Sequence, residues 1–487
     1  MAVSRALKLV FRDVMLNIPK KNFTHSNLVT LEEFINKSIN LDQFQDDYVG
    51  TAAERALTNP KGFDTLDGKG GVGKTVTQTK LIQTLLKKGK KLLVLAPTHQ
   101  ALNVLRNKIN VNSDMIEFQT VAKATRATKS LSYNTGELNF YANQLNLNGA
   151  EAVFLDEGSF LDAIEIRAIL STTVINNVRL LVSGDACQLP KPKSFEISAL
   201  MDKRKIEKMR NNYMTTLEKV YRTEGKGILA LSDYIRYTWV MPERRGMNYN
   251  TILKTLIDHA STYAEISVFN KTEENMRYIH EMLTEKNGNV VYIAYTNKTI
   301  DDLARFNIRR QFKQGKANNP YLPKGTLWYT TQPYYIGDKA LLQNGQYVYI
   351  SSNIRTRDRE LYGFPFKTIE VEVQTTGRQP KRLYAETIHP DYLEEFNTIL
   401  NWFDTQAKAT QGRKERKKIW SQKNQFIEQF LFIKYAPFFT AHKSQGSEYP
   451  VVIIDLKDLL SIKAAFVQNR ATYVAFSRAK QKLIFLI

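Results

Sequence analysis

The stretch Gly68–Thr75, GKGGVGKT, lies between a short apolar run and an amphipathic segment, TVTQTKLIQTLLKKG, that closes at Gly89. No other feature constrains the fold as much. A G-x-x-x-x-G-K-[ST] loop needs glycines so that backbone N–H groups can turn inward, and a helix N-terminus to add partial positive charge around a phosphate chain. Such a loop belongs at the edge of a parallel α/β sheet. Further apolar runs fit that expectation: KLLVLAP, AEAVFLDE and VRLLVSGD, then NVVYIAYT, PVVIIDL and QKLIFLI. Each is bounded by polar or turn residues and reads as a strand buried on both faces, and the two groups imply two sheets.

The loop assigns local chemistry. Gly71 and Gly73 wrap the phosphates, Lys74 reaches the β and γ phosphates, and Thr75 ligates magnesium. In AVFLDEGS an apolar strand ends in two acids: Asp156 suits magnesium held through water, and Glu157 suits a general base for the attacking water. In LLVSGDACQLP, Gln188 stands where an amide senses the γ phosphate. ATP and Mg²⁺ are therefore the expected cofactors. Lys69 leaves a choice open, because KGGVGKT also reproduces the loop of partition-type ATPases, which dimerise around two nucleotides.

Composition narrows the partner. With 69 Lys+Arg against 48 Asp+Glu in 487 residues, the formal charge is +21, a field that attracts polyanions such as nucleic acid. The single cysteine, Cys187, excludes an internal disulfide, and the six scattered histidines lack zinc-ligand spacing, which fits a reducing, cytoplasmic setting. Charges at Arg5, Lys8, Arg12 and Asp13 interrupt any signal-like run, and no stretch approaches the roughly 20 apolar residues of a spanning helix, so no membrane association is expected.

Two regions interrupt the α/β pattern. Around 320–390, QYVYIS and TIEVEVQ alternate as half-buried antiparallel strands do, and a long amphipathic helical stretch broken near Gly412 follows. Its run RKERKK, Arg413–Lys418, reads as a solvated helix face. Earlier, KSLSYNTGELNFYANQLNLN reads as a hairpin turning at NTG.

The ordered set LDQFQ, GKGGVGKT, LAPTHQALNVL, LDEGS, GDACQLP, VYRTEG, AYTNKTIDDL, TAHKSQGSEYP and YVAFSRAK resembles the motif series of superfamily 1 helicases, in the 1B group of Dda- and RecD-type enzymes, from about Leu41 onward. The resemblance implies a DNA-dependent ATPase and helicase that moves 5′ to 3′ on single-stranded DNA. It implies two RecA-like domains, at 41–235 and at 236–312 with 438–487. It adds a pin-like hairpin within 121–149 and a small β-barrel with a helical tower at 313–437, and leaves 1–40 without a role. Gln45 would then read the adenine edge, Arg222 and Arg478 would supply charge to the transferring phosphoryl group, and Glu448 would contact the ribose. Thr98, His99, Thr120, Thr296, Asn297, Thr440, His442 and Lys443 would face the DNA strand. Tyr133, Phe140 or Tyr141 would supply an aromatic wedge at the duplex end. Single-stranded DNA and forks, a single-stranded-DNA-binding protein or replication proteins, and a monomeric state complete the expectation. The alternatives are a partition-type ATPase or a nucleic-acid-binding protein switched by ATP.

Overall fold

A computed structural model describes residues 2–17, 29–131, 138–192, 194, 196–221, 225–286, 288–336, 339–376 and 380–487. The apolar runs form two parallel sheets. The first has six strands in the order Ile116–Thr120, Leu92–Ala96, Ala152–Leu155, Arg179–Gly184, Phe63–Gly68 and Tyr213–Leu217. The second has five, in the order Phe438–Thr440, Val290–Ala294, Tyr449–Asp455, Ala479–Leu486 and Ile266–Phe269. Every pairing in both sheets is parallel.

Burial on both faces explains the continuous apolar runs. Leu92, Val94 and Ala96 enter one hydrophobic cluster and Leu93 and Leu95 another, because successive side chains point to opposite sides of a strand. The second sheet divides likewise: Val291 and Ile293 face one cluster, Val290, Tyr292 and Ala294 the other. Helix Lys226–Ile235 packs its Ile228, Leu231 and Ile235 with Ile252, Leu256, Leu483 and Phe485 of the second sheet's core, in a cluster that Cys187 and Leu189 of the first half also enter.

The insertion after residue 313 forms a five-stranded antiparallel sheet, in the order Arg382–Ile388, Phe364–Thr375, Tyr347–Leu361, Leu327–Thr330, Ile433–Tyr435. Its end strands share no ladder among the described residues, but Leu431, two residues before Ile433–Tyr435, donates its N–H to the Glu386 carbonyl of Arg382–Ile388 at 2.7 Å, drawing the two edges of the sheet together. Helices Leu393–Ala409 and Arg413–Glu428 cover it through Phe366, Phe396, Phe403 and Phe426. The RKERKK run forms the mostly exposed start of the latter helix. The hairpin strands Thr128–Leu131 and Leu138–Tyr141 pair antiparallel, placing Phe140 opposite Lys129 and Tyr141 opposite Thr128. Tyr133 lies outside the described residues.

Helix Ala2–Asn17 belongs with the second sheet. Val10 and Val14 are buried in that core, Phe11 sits 5.5 Å from the Tyr278 ring, and Lys286 Nζ donates to the Met15 carbonyl at 2.6 Å. No described helix is long and apolar enough to cross a membrane.

One buried ion pair anchors the strand that carries the loop. Arg179 is fully buried; its Nε donates to Asp64 Oδ2 at 2.7 Å, and its terminal nitrogens donate to the Asn59, Lys61 and Asn211 carbonyls. Asp64 Oδ1 also pairs with Arg55 at 2.6 Å. Removing one partner strands a buried charge, so Asp64→Ala is expected to cost about 3–5 kcal/mol, read as a lower urea midpoint.

Candidate nucleotide site and adjoining cleft

The C-terminal ends of three neighbouring strands of the first sheet build one wall. Strand Arg179–Gly184 lies between Phe63–Gly68 and Ala152–Leu155, in a register that pairs Val182 with Leu155 and with Thr65. Gly68, Asp156 and Asp185 therefore leave the sheet along a single edge. Parallel α/β sheets bind ligands at that edge.

Gly71 and Gly73 adopt φ of +84° and +83°, a region that favours glycine, and a β-carbon on Gly73 would lie 2.6 Å from Gln45 Nε2. The Lys74 ammonium is turned onto its own loop, donating to the carbonyls of Gly68 at 2.5 Å and Lys69 at 3.0 Å. Phosphate oxygens offer stronger acceptors for the same donors. Thr75 is partly buried in the first turn of helix Lys74–Lys87. Gln45 is buried, with Oε1 accepting from the Asp42 N–H and Nε2 donating to the Val72 carbonyl at 3.3 Å, against the back of the loop.

Asp156 accepts a short hydrogen bond from the Ser183 hydroxyl. Glu157 takes a left-handed backbone, φ 54°. Burial, with the adjacent Asp156 charge, pushes its carboxyl up to about 7, against the pull of Lys74 and Arg478. Gln188 is buried, and its side-chain carbonyl accepts no hydrogen bond among the described residues. An orphaned buried acceptor beside a glycine loop suits a polar ligand. Thr75 and Asp156 offer hard oxygen donors too few for a protein-only cage, which fits magnesium held chiefly by phosphates and water.

The second sheet supplies the opposite wall. Arg478 precedes strand Ala479–Leu486 and is 5% exposed; it donates to the carbonyls of Val474 at 3.0 Å and Ser447 at 3.3 Å, and to the Ser477 hydroxyl at 2.8 Å. Glu448 pairs with Lys480 at 3.2 Å and approaches the loop, since a β-carbon on Gly70 would lie 3.8 Å from its Oε1. A β-carbon on Gly446 would lie 3.7 Å from Glu157 Oε1. Arg222 lies outside the described residues.

A cavity of about 640 Å³ continues from this site between the halves. Glu157 lines it together with Thr98, His99, Thr120, Thr440, His442 and Lys443. Thr98 and Thr120 also cap helices, accepting from Ala101 N–H at 3.2 Å and Lys123 N–H at 3.3 Å. Burial lowers the His99 and His442 pKa values and brings that of Lys443 down to about 8. Thr296 and Asn297 lie elsewhere: the Thr296 hydroxyl is 3.0 Å from Asp458 Oδ1, and Asn297 Oδ1 accepts from Lys434 at 2.9 Å. These bonds hold the start of helix Asn297–Lys313.

Sequence reading missed several neighbours of the site. The insertion contributes Tyr335, Gln343 and Asn344 to the cavity, from a segment with no motif. Tyr221 bonds Asp42 through its hydroxyl and the Gly71 carbonyl through its N–H at 2.9 Å. A buried network crosses between the sheets: Asp185 accepts from Arg236 and, at 2.7 Å, from the Tyr473 hydroxyl, while Asp67 lies 3.8 Å from Arg236. Burial opposes ionisation of Asp185, yet Arg236 and Lys74 hold its pKa below the usual range. Arg236 opens a π-helical turn, Arg236–Val240, that extends helix Lys226–Ile235. Two quoted motifs carried members of this network, GDACQLP through Asp185 and YVAFSRAK through Tyr473, but neither showed that they meet.

Two family models match the chain: an AAA domain over residues 49–238 and a UvrD-like helicase C-terminal domain over residues 435–486. An uncharacterised protein, R530, of Acanthamoeba polyphaga mimivirus is 22% identical over 481 residues, covering 87% of this chain and 94% of that one. A solved structure described as two coordinating Pif1 helicases unwinding forked dsDNA is 14% identical, with 92% of each chain covered and a TM-score of 0.50. Pif1 helicase from Bacteroides, in complex with ADP-AlF3 and ssDNA, is 12% identical, with 92% of each chain covered and a TM-score of 0.48. The chain thus joins an AAA domain to a UvrD-like helicase C-terminal domain on a two-sheet fold shared with a Pif1 helicase, and it is an ATP-binding P-loop enzyme of the DNA helicase and ATPase class.

Proposed function

We propose that the chain is a magnesium-dependent DNA helicase that moves 5′ to 3′ along single-stranded DNA and opens duplex DNA in replication, recombination or repair. One observation carries this reading: the cavity between the halves is bounded by Glu157, the candidate base for ATP hydrolysis. Closing the halves around a nucleotide would change the same space that holds the strand. Polarity follows from the likeness of the motif series to the 1B group.

In this reading Lys74, Arg478 and Gln188 surround the β and γ phosphates, and Glu157 takes the proton of the attacking water. Magnesium, when bound at Thr75 and Asp156, neutralises phosphate charge. Gln45, against the loop through the Val72 carbonyl, is assigned to the adenine edge and Glu448, near Gly70, to the ribose, as the likeness of the motif series implies. Thr98, Thr120 and Thr440 offer hydroxyls to phosphate oxygens, and Lys443 a cation. The hairpin bearing Phe140 and Tyr141 supplies the wedge, whose replacement should abolish unwinding but spare ssDNA-stimulated hydrolysis. The partition-type alternative is disfavoured by the match to a helicase C-terminal domain.

The test is a set of forked duplexes with a 5′ tail, a 3′ tail or both. Unwinding is expected wherever a 5′ tail is present; a requirement for the 3′ tail reverses the polarity, and no unwinding of any fork removes the helicase reading in favour of an ATP-switched binder.

Lys443 gives this reading a pH signature. Its ammonium stands over the Tyr329 ring, 3.5 Å from Asn344 Oδ1, and shares the cavity with His99, Lys123 and His442. Because its pKa in the free protein is about 8, binding a DNA phosphate above that pH requires proton uptake. Affinity for an oligothymidylate is therefore expected to fall by up to about tenfold per pH unit above pH 8, measured by anisotropy at fixed ionic strength. Lys443→Arg, which stays charged, should flatten the profile.

A further inference from the structure

Lys69 is the loop residue that left the partition-type reading open, and the structure gives it a partner. Its Nζ lies 2.5 Å from Asp233 Oδ2 and 5.9 Å from the centre of the Tyr237 ring. The Lys69 side chain is only 12% exposed and that of Asp233 31% exposed, so the pair is partly shielded from water. Asp233 stands on helix Lys226–Ile235, whose apolar face is packed into the core of the second sheet. The start of that helix is fixed to the same half: a β-carbon on Gly225 would lie 2.5 Å from the Lys480 carbonyl, and one on Gly227 would strike the Tyr263 ring at 2.4 Å. The phosphate loop belongs to the first half. Lys69–Asp233 is thus an ion pair across the cleft.

We infer that Lys69 and Asp233 form a latch that holds the two halves together before nucleotide arrives, so that the cleft is already arranged for ATP. The inference rests on the ATP-driven motor reading above. Lys69 is a positioning residue here. Its charge is directed at the second half, whereas Lys74 is the loop cation turned inward, onto the Gly68 and Lys69 carbonyls. The next residue, Gly70, lies near a second carboxylate of that half, since a β-carbon there would stand 3.8 Å from Glu448 Oε1. A small cavity of about 10 Å³ lies beside the pair, bordered by Ser232, Tyr473 and Ser477.

A latch of this kind acts on ATP affinity. If only the closed fraction of the free enzyme binds nucleotide well, lowering that fraction raises the apparent dissociation constant in proportion and leaves turnover at saturation unchanged. Lys69→Ala and Asp233→Asn are each expected to raise the KM for ATP about three- to tenfold and to speed release of a fluorescent ADP analogue by a similar factor, and Asp233→Asn, which lies outside the loop, should preserve kcat on saturating ssDNA. The double variant should be no worse than either single, because both break one interaction. Lys69→Arg, which can still pair with Asp233, should keep most of the affinity.

Two results overturn the latch. In one, Lys69→Ala weakens nucleotide binding while Asp233→Asn leaves it unchanged or tightens it, which makes Lys69 a phosphate ligand. In the other, the effects of the two single variants add in the double variant. ADP release is read on the full chain without a fork, so these outcomes stand apart from the unwinding assay. A chain that binds nucleotide through the latch but opens no duplex would sink the helicase reading alone.

Discussion

Arg478→Ala is expected to lower ssDNA-stimulated ATP hydrolysis by about 10³-fold or more, while affinity for a non-hydrolysable ATP analogue changes only a few-fold. Arg478 is buried, and its guanidinium is held by two carbonyls and a hydroxyl; among the described residues no carboxylate pairs with it. Its charge is therefore not neutralised in advance. The same charge opposes the upward shift of the Glu157 pKa, so its field reaches the hydrolytic corner from the second half. A cation held in a water-poor site by neutral acceptors is suited to stabilise charge that grows in a transition state. Arg478→Lys should restore little, because an ammonium lacks the planar fork that spans those acceptors. Steady-state ATPase assays with and without ssDNA, beside equilibrium analogue binding, decide the matter. Unchanged kcat in Arg478→Ala would remove the arginine from the reaction.

What could be read from the residues follows from how local each cause is. Strand Leu92–Ala96 was legible because burial on both faces leaves an unbroken apolar run. Strands Tyr347–Leu361 and Phe364–Thr375 showed themselves by alternation. Tyr213–Leu217, YMTTL, escaped notice because it is a short edge strand whose apolar run is broken by two threonines. The phosphate loop and the Asp156–Glu157 corner were legible because their chemistry sits within a few consecutive residues. Arg236, Asp185 and Tyr473 were not, since positions separated by 51 and 288 residues meet only once both sheets have packed. The packing of helix Lys226–Ile235 was hidden for a related reason: it has a good amphipathic pattern, but a pattern does not say which sheet the helix will cover. Lys69 suggested a partner chain in the sequence and found Asp233 within its own.

Glu157→Gln and Lys74→Ala are expected to separate chemistry from binding. Glu157→Gln keeps the shape of the corner and removes only the group that accepts a proton, so hydrolysis should fall by about 10²–10⁴-fold while nucleotide and ssDNA binding persist. Its carboxyl is pushed up to about 7 by burial and by Asp156, which means the charged form is held there at a cost. A neutral amide avoids that cost, and the variant should melt no lower than the parent, whereas loss of a merely structural carboxylate would lower the melting temperature. Lys74→Ala removes the cation itself. It leaves the Gly68 and Lys69 carbonyls without the donor they share and gives the phosphates no compensating charge, so both affinity and turnover should collapse. Titrating a fluorescent ATP analogue into both variants makes the comparison direct: tight binding by Glu157→Gln and weak binding by Lys74→Ala assign base and phosphate cation to these side chains. Equal loss of binding in the two would mean that Glu157 holds the loop together and that the water is activated by some other group.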